Sequence, residues 1–147
     1  MRREDRHRLL FDQLGVGVGY YTPEGVVLEY NDVALGYLGM PADEVIGRSL
    51  DDLFDGAAAE EYRRRLRVAV EAGEPLDFED EIPLPTGRRW FLSTYTCVRD
   101  SDGGLQGIQI TSKDISELKR AELARREHEA RYRAVMAQSS FGMLLFD

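Results

Sequence analysis

Two turn sequences, Pro85-Thr86-Gly87 and Ser101-Asp102-Gly103-Gly104, divide the second half of the chain into three runs of strand character, about Leu76–Leu84, Arg88–Arg99 and Leu105–Lys113. Short Gly-containing turns join antiparallel neighbours and leave no room for a crossover helix. These residues therefore predict a three-stranded meander. Pro83 and Pro85 cannot donate to a ladder, so the first of the three runs lies at a sheet edge or frays there. Upstream, Val16–Tyr21 and Val26–Tyr30 read as a further hairpin about Thr22-Pro23-Glu24-Gly25, where Pro and Gly occupy positions that suit a type I turn.

Between the hairpin and the meander the pattern turns helical. Three short pieces, Asp32–Leu38, Pro41–Ile46 and Leu50–Phe54, are punctuated by Gly39, Pro41 and Gly47, with Asn31 or Asp32 able to cap the first. Asp55 or Gly56 opens a longer helix to about Ala72, with an apolar stripe of Ala58, Tyr62, Leu66, Ala69 and Val70. Gly73 and Pro75 end it in the expected order. Five strands with helices gathered between the second and third predict an α+β fold: a five-stranded antiparallel sheet with a helical block packed on one face. Helices are expected on both flanks. Residues 1–14 form the first, with Leu10, Phe11 and Leu14 on one side, and residues 116–136 form a linker after a domain at 15–115.

The chain also repeats itself. Arg133, Gln138 and Gly142 fall 125 positions after Arg8, Gln13 and Gly17, and Leu145 and Phe146 fall on Tyr20 and Tyr21. In both copies a helical stretch leads to a Gly and then an apolar strand. Residues 137–147 are therefore expected to open a second domain like the first.

Charge narrows the function. Asp and Glu outnumber Lys and Arg 27 to 19, a net charge of −8, which disfavours nucleic acid as a partner. The one basic cluster, Arg63-Arg64-Arg65 with Arg67, reads as a solvated helix face. No apolar run approaches the roughly 20 residues that cross a bilayer, so no membrane contact is expected of this segment. A single cysteine, Cys97, excludes an internal disulfide and fits a cytoplasmic location.

The stretch YNDVALGYLGMPADEVIGRSLDDLF, Tyr30–Phe54, resembles the first half of a PAS domain: Asn31, Ala34, Gly39, Glu44 and Gly47-Arg48-Ser49 stand where that family's pattern has such residues. Gly87-Arg88-Arg89-Trp90 is similar to its "DG-x-x-RW" hairpin. Asp102–Gly107 resembles its "DG-x-x-x-G", and Asp114-Ile115-Ser116 its terminal "D-I-T/S". The resemblance covers residues 8–136. It implies a sensory PAS module of a multidomain signal-transduction protein, binding a small ligand or relaying a signal through its C-terminal helix to a downstream effector. The commonest effector this implies is a histidine kinase of a two-component system, with a cyclic-di-GMP enzyme or a chemoreceptor as the alternatives. The alternative is a ligand-free PAS dimerisation or protein-interaction scaffold. The segment itself is expected to be non-catalytic, since His7 and His128 are remote from Cys97 and no nucleophile–base pair is visible.

PAS domains that bind small molecules hold them between the inner sheet face and the helices. Alternation on the fourth strand, with Trp90 aligned to its position in flavin-binding relatives, turns Phe91, Ser93 and Tyr95 inward. Ile108, Ile110 and Ser112 are the inward set on the last strand. From the helices, Leu35, Leu38, Ile46, Leu50, Phe54, Tyr62 and Leu66 complete the candidate pocket. Residues 31–72 contain no Cys, so the cysteinyl-flavin photochemistry of light-sensing relatives is not expected. Neither His lies on the long helix, so His-ligated haem is not expected either, and no metal site is read; the cofactor is otherwise unknown. Gly15, Gly17 and Gly19 precede no helix and read as strand residues that allow close packing. Asp114, Ile115 and Ser116 form the expected signal junction. Beyond it, Leu118, Ala121, Arg125, His128, Tyr132 and Val135 step by three and four as a weak coiled-coil seam, the expected contact of a homodimer.

Overall fold

The strand and turn pattern folds as five antiparallel strands, β1 (Gly17–Tyr21), β2 (Val27–Tyr30), β3 (Leu76–Leu84), β4 (Gly87–Arg99) and β5 (Leu105–Asp114), in the spatial order β2-β1-β5-β4-β3. The structure, a computed structural model, describes residues 15–146, of which 139–146 by backbone alone. The helix expected over 1–14 lies outside the described residues. β3 is an edge strand, yet its ladder with β4 runs unbroken from Leu76↔Tyr95 to Leu84↔Gly87. Pro83 thus marks the edge without fraying it, because an edge strand leaves alternate N–H groups unused.

Four helices fill the interval between β2 and β3: α1 (Asp32–Leu38), α2 (Ala42–Val45), α3 (Leu50–Leu53) and α4 (Gly56–Ala72). Asn31 caps α1 and Asp55 caps α4, each side chain accepting from the backbone N–H three residues on. The loop between α2 and α3 is stitched to the free edge of β2 by Val27 N–H to Arg48 O and Gly47 N–H to Val27 O, both 2.8 Å. That loop covers an edge that would otherwise be open to a foreign strand.

The core lies between the sheet and the helices and includes Tyr21, Val27, Leu38, Val45, Leu50, Leu66, Tyr95 and Ile108. Two expectations shift here by one residue. Val45, not Ile46, is fully buried, and Ile46 is 39% exposed. α2 is a single turn, and Ile46 at its C-cap has already turned to extended backbone, which swings its side chain outward. On α4 the buried stripe is Ala59, Arg65, Leu66 and Ala69, with Ala58 only half-buried at the capped first turn.

Close approach of strands explains one glycine outright. A Cβ on Gly107 would lie 2.6 Å from the carbonyl oxygen of Tyr21 in β1. Backbone cannot yield as a side-chain tip can. Gly107→Ala is therefore expected to cost about 1–3 kcal/mol, seen as a lower urea midpoint at unchanged m-value.

The chain divides after Asp114 into two units. The second is α5 (Ser116–Phe146), laced by Arg125–Glu129 and Glu122–Arg126 ion pairs at 2.7 and 2.8 Å. Leu118, Tyr132 and Val135 of the expected seam are exposed along it. The helix continues through Gly142 to Phe146, where a strand was expected. A helix satisfies the N–H and C=O groups of this stretch locally.

Candidate functional site

Strand alternation on β4 and β5 turns Phe91, Ser93 and Tyr95, with Ile108 and Ile110, toward the helices, and all five are buried. Where the sheet and helices part, they leave a cavity of about 70 Å³. Its walls bring together Phe91, Ser93, Ile110 and Ser112 from the sheet with Leu38, Leu50, Phe54 and Tyr62 from the helices. Leu35, Leu66, Tyr95 and Ile108 pack in the core without forming the wall, and Ile46 faces solvent.

Other wall residues were not anticipated. β1 supplies Gly17, Gly19 and Tyr21, and Tyr30, Ala34 and Tyr37 follow it in sequence. The edge strand β3 adds Ile82 and Leu84. The two glycines are functional in shape: a Cβ on Gly17 would lie 3.1 Å from the Tyr37 ring, and one on Gly19 would lie 2.7 Å from the Tyr30 ring. Their absence of side chain lets both rings lie close over β1. The alternating Gly-x-Gly was the available signal: its reading as strand residues that allow close packing holds for Gly17 and Gly19, whereas Gly15 precedes β1 in a left-handed conformation with open space around it, and the pattern did not reveal that a cavity sits above.

The polar chemistry of the site is phenolic. Tyr21 and Tyr30 share a hydrogen bond between their hydroxyls. Burial pushes Tyr30 up to about 12, with the Tyr21 hydrogen bond pulling the other way. Burial likewise raises Tyr21, Tyr62 and Tyr95, and these phenols act on one another's charge. All four therefore stay protonated across the physiological range. The buried Tyr95 hydroxyl lies close enough to the Arg65 guanidinium for the cation to oppose that rise, but makes no well-formed hydrogen bond.

Beside the phenols sits a buried cation. Arg65, expected on a solvated face, is only 6% exposed. Its guanidinium donates to Glu61 at 3.0 Å, pairs with Asp80 of β3, and lies 4.5 Å from the Phe78 ring centre. Elsewhere in the basic cluster, Arg63 pairs with Asp51 and Arg64 with Glu61. The Arg64 hydrogen bond, opposed by desolvation and joined by that of Arg65, holds the Glu61 carboxyl down at about 2. A carboxylate depressed by folding contributes stability above its unfolded value and loses it as pH falls through the folded one. Stability is thus expected to decline between about pH 5 and pH 2, and to decline less in Glu61→Gln, when urea midpoints are compared across that range.

At the other end of the cavity, Tyr37 packs edge-on against Phe91, with ring centres 4.9 Å apart. The Arg89 guanidinium lies 5.8 Å from the Tyr37 ring centre and donates to Asp114 at 2.9 Å. Burial, with the Asp114 carboxylate added, raises Tyr37. A wall residue of the cavity is thereby linked to the last residue of β5. Cys97 is half-buried, its thiol donating to the Ala69 carbonyl at 3.3 Å. No cluster of His, Cys, Asp or Glu among the described residues suits a metal ion.

Comparison with known proteins agrees with this geometry. The family model for the PAS fold matches residues 11–120. The chain is 32% identical over 133 residues to the biofilm dispersion protein BdlA of Pseudomonas aeruginosa, covering 86% of this chain and 30% of that protein. The solved PAS domain of BvgS from Bordetella pertussis superposes with a TM-score of 0.67 at 31% identity, covering 89% of this chain and 98% of that one. A structure of VqmA bound to DPO gives a TM-score of 0.68 at 27% identity, over 74% of this chain and 56% of that one. The chain spans less than a third of the length of BdlA.

Proposed function

The chain belongs to the PAS-fold family, and on that premise we propose that it is the input module of a larger signalling protein. It holds a small molecule in the cavity between sheet and helices. It passes the presence of that molecule through β5 and the Asp114-Ile115-Ser116 junction into α5, toward an effector such as a histidine kinase. Its relatives are PAS sensor domains of signalling proteins, and PAS domains are generally non-catalytic. Any enzymatic step belongs to the effector.

The observation that carries this reading is the contact chain from Phe91 and Tyr37 on the cavity wall, through Arg89, to Asp114 at the exit of the sheet. A change in the cavity that moves the Tyr37 ring moves the cation that holds the end of β5. The VqmA structure, similar in fold and bound to a ligand, supports an occupied site. Exposed Leu118, Tyr132 and Val135 support a parallel homodimer through α5. The repeat of residues 8–21 at 133–146 supports a second PAS domain opening at 137, whose strand pairs once the rest of that domain is present. No described helix is long and apolar enough to cross a membrane.

Native and denaturing mass spectra of the purified protein test the reading. Mass carried by the native protein and lost on denaturation is the expected result, with the native spectrum at twice the chain mass. A bare chain mass under both conditions favours the ligand-free scaffold.

A further inference from the structure

The cavity wall contains hydroxyls but no charge. Among the described residues, no Asp, Glu, Lys, Arg or His lines it. The nearest cations are committed elsewhere, Arg65 to Glu61 and Asp80, and Arg89 to Asp114. The hydroxyls are different. Tyr62, Ser93 and Ser112 all face the cavity, and among the described residues no protein hydrogen bond engages them. Tyr21 and Tyr30 share one hydrogen bond, in which only one proton is used, so the pair keeps a second proton to donate.

A hydroxyl that faces a cavity without a protein partner is met by water, and an occupant that displaces that water must replace its hydrogen bond or lose affinity. An ion is the wrong occupant. Moving a carboxylate or ammonium from water into a site without a counter-charge costs more than neutral hydroxyl donors return. An apolar occupant is wrong as well, since it leaves the hydroxyls unmet. The volume, about 70 Å³, falls well below the roughly 300 Å³ of drug-sized sites.

Building on the sensory reading above, we propose that the cavity takes a compact, uncharged molecule of roughly four to eight heavy atoms bearing hydrogen-bonding oxygen or nitrogen, such as a small amide or carbonyl compound. Tyr62 and the Tyr21–Tyr30 pair meet its polar group from the helical side and β1. Ser93 and Ser112 meet it from the sheet, and Phe91 and Leu50 pack on its apolar part.

Four probes of similar size test the proposal on the full chain: xenon, propionamide, propionate and propylammonium. Binding is followed by NMR shifts at Ser93, Ser112 and the Tyr62 ring. Propionamide is expected to bind at least about tenfold more tightly than either ion. Tyr62→Phe, nearly isosteric, is expected to weaken propionamide by about three- to tenfold and leave xenon binding unchanged. Ser93→Ala gives the same pattern from the sheet side. Propionate or propylammonium binding as tightly as propionamide overturns the uncharged class while leaving a ligand site in place. Propionamide affinity untouched by both Tyr62→Phe and Ser93→Ala overturns the hydroxyl recognition. Failure of all four probes, xenon included, shows a filled core and overturns the ligand-binding reading itself.

Discussion

Asn31→Ala is expected to destabilise the domain by about 3–5 kcal/mol, a large share of the roughly 5–15 kcal/mol that holds a domain folded. Asn31 is 1% exposed, and its side chain makes three backbone hydrogen bonds. Its Oδ1 accepts from Val18 N–H and Ala34 N–H at 2.9 Å, and its Nδ2 donates to Val16 O at 2.8 Å. The side chain extends the β1–β2 ladder one step beyond Tyr30 and caps α1 with the same oxygen. Alanine strands two buried donors and one acceptor at the point where the first hairpin meets the helical block. Urea unfolding by circular dichroism measures the loss. Asn31→Asp keeps the acceptor and turns a carboxylate toward Val16 O. Its protonated form restores a donor, so this variant gains stability as pH falls, opposite to the trend expected of the parent.

Arg65→Met is the second large effect, with an expected loss of about 2–4 kcal/mol. Methionine keeps the aliphatic packing of the stem and removes the guanidinium, which leaves Asp80 without its cation and Phe78 without the charge over its ring. Asp80 retains a side-chain exposure of 33%, which moderates the cost, while its Oδ1 is buried and already unpartnered. The double variant Arg65→Met with Asp80→Leu removes both charges and is expected to recover much of the loss, because two apolar groups replace a pair that was costly to bury. A double variant no more stable than Arg65→Met alone shows that Arg65 acts through its packing and not through Asp80.

The strands were legible because their punctuation is local. Each turn carries its own Gly or Pro, and a turn residue reports its conformation without help from distant sequence. The edge position of β3 was legible from Pro83 for the same reason. Arg65 was not legible, since a cation on a helix reads as solvent-facing unless its partner is known, and Asp80 lies fifteen residues away on another element. The phase of α4 slipped for a related reason: Ala58 and Ala59 are equivalent in hydropathy, and only the Asp55 cap sets which one turns inward. The cavity was half legible. Alternation split each strand into two faces, and the resemblance at Trp90 chose the inward one, which placed Phe91, Ser93, Ile110 and Ser112 on the wall, but the opposite wall depends on Tyr30 and Tyr37 lying over two glycines of β1, a contact between elements that no single periodicity encodes.

Communication from cavity to exit helix is tested most directly by filling the cavity from the helical side, with no substitution in the junction or in β5. Ala34 lines the cavity from α1, and Ala34→Leu adds side-chain volume there. Amide hydrogen exchange along residues 114–127 is then compared with the parent, xenon binding serving to show that the cavity has been filled. A change of roughly tenfold in exchange at the junction and the first turns of α5, on the order of 1.4 kcal/mol in local opening, is the expected result. Unchanged exchange along that segment, in a folded variant that no longer binds xenon, contradicts it and leaves the domain as a scaffold whose core does not speak to its helix.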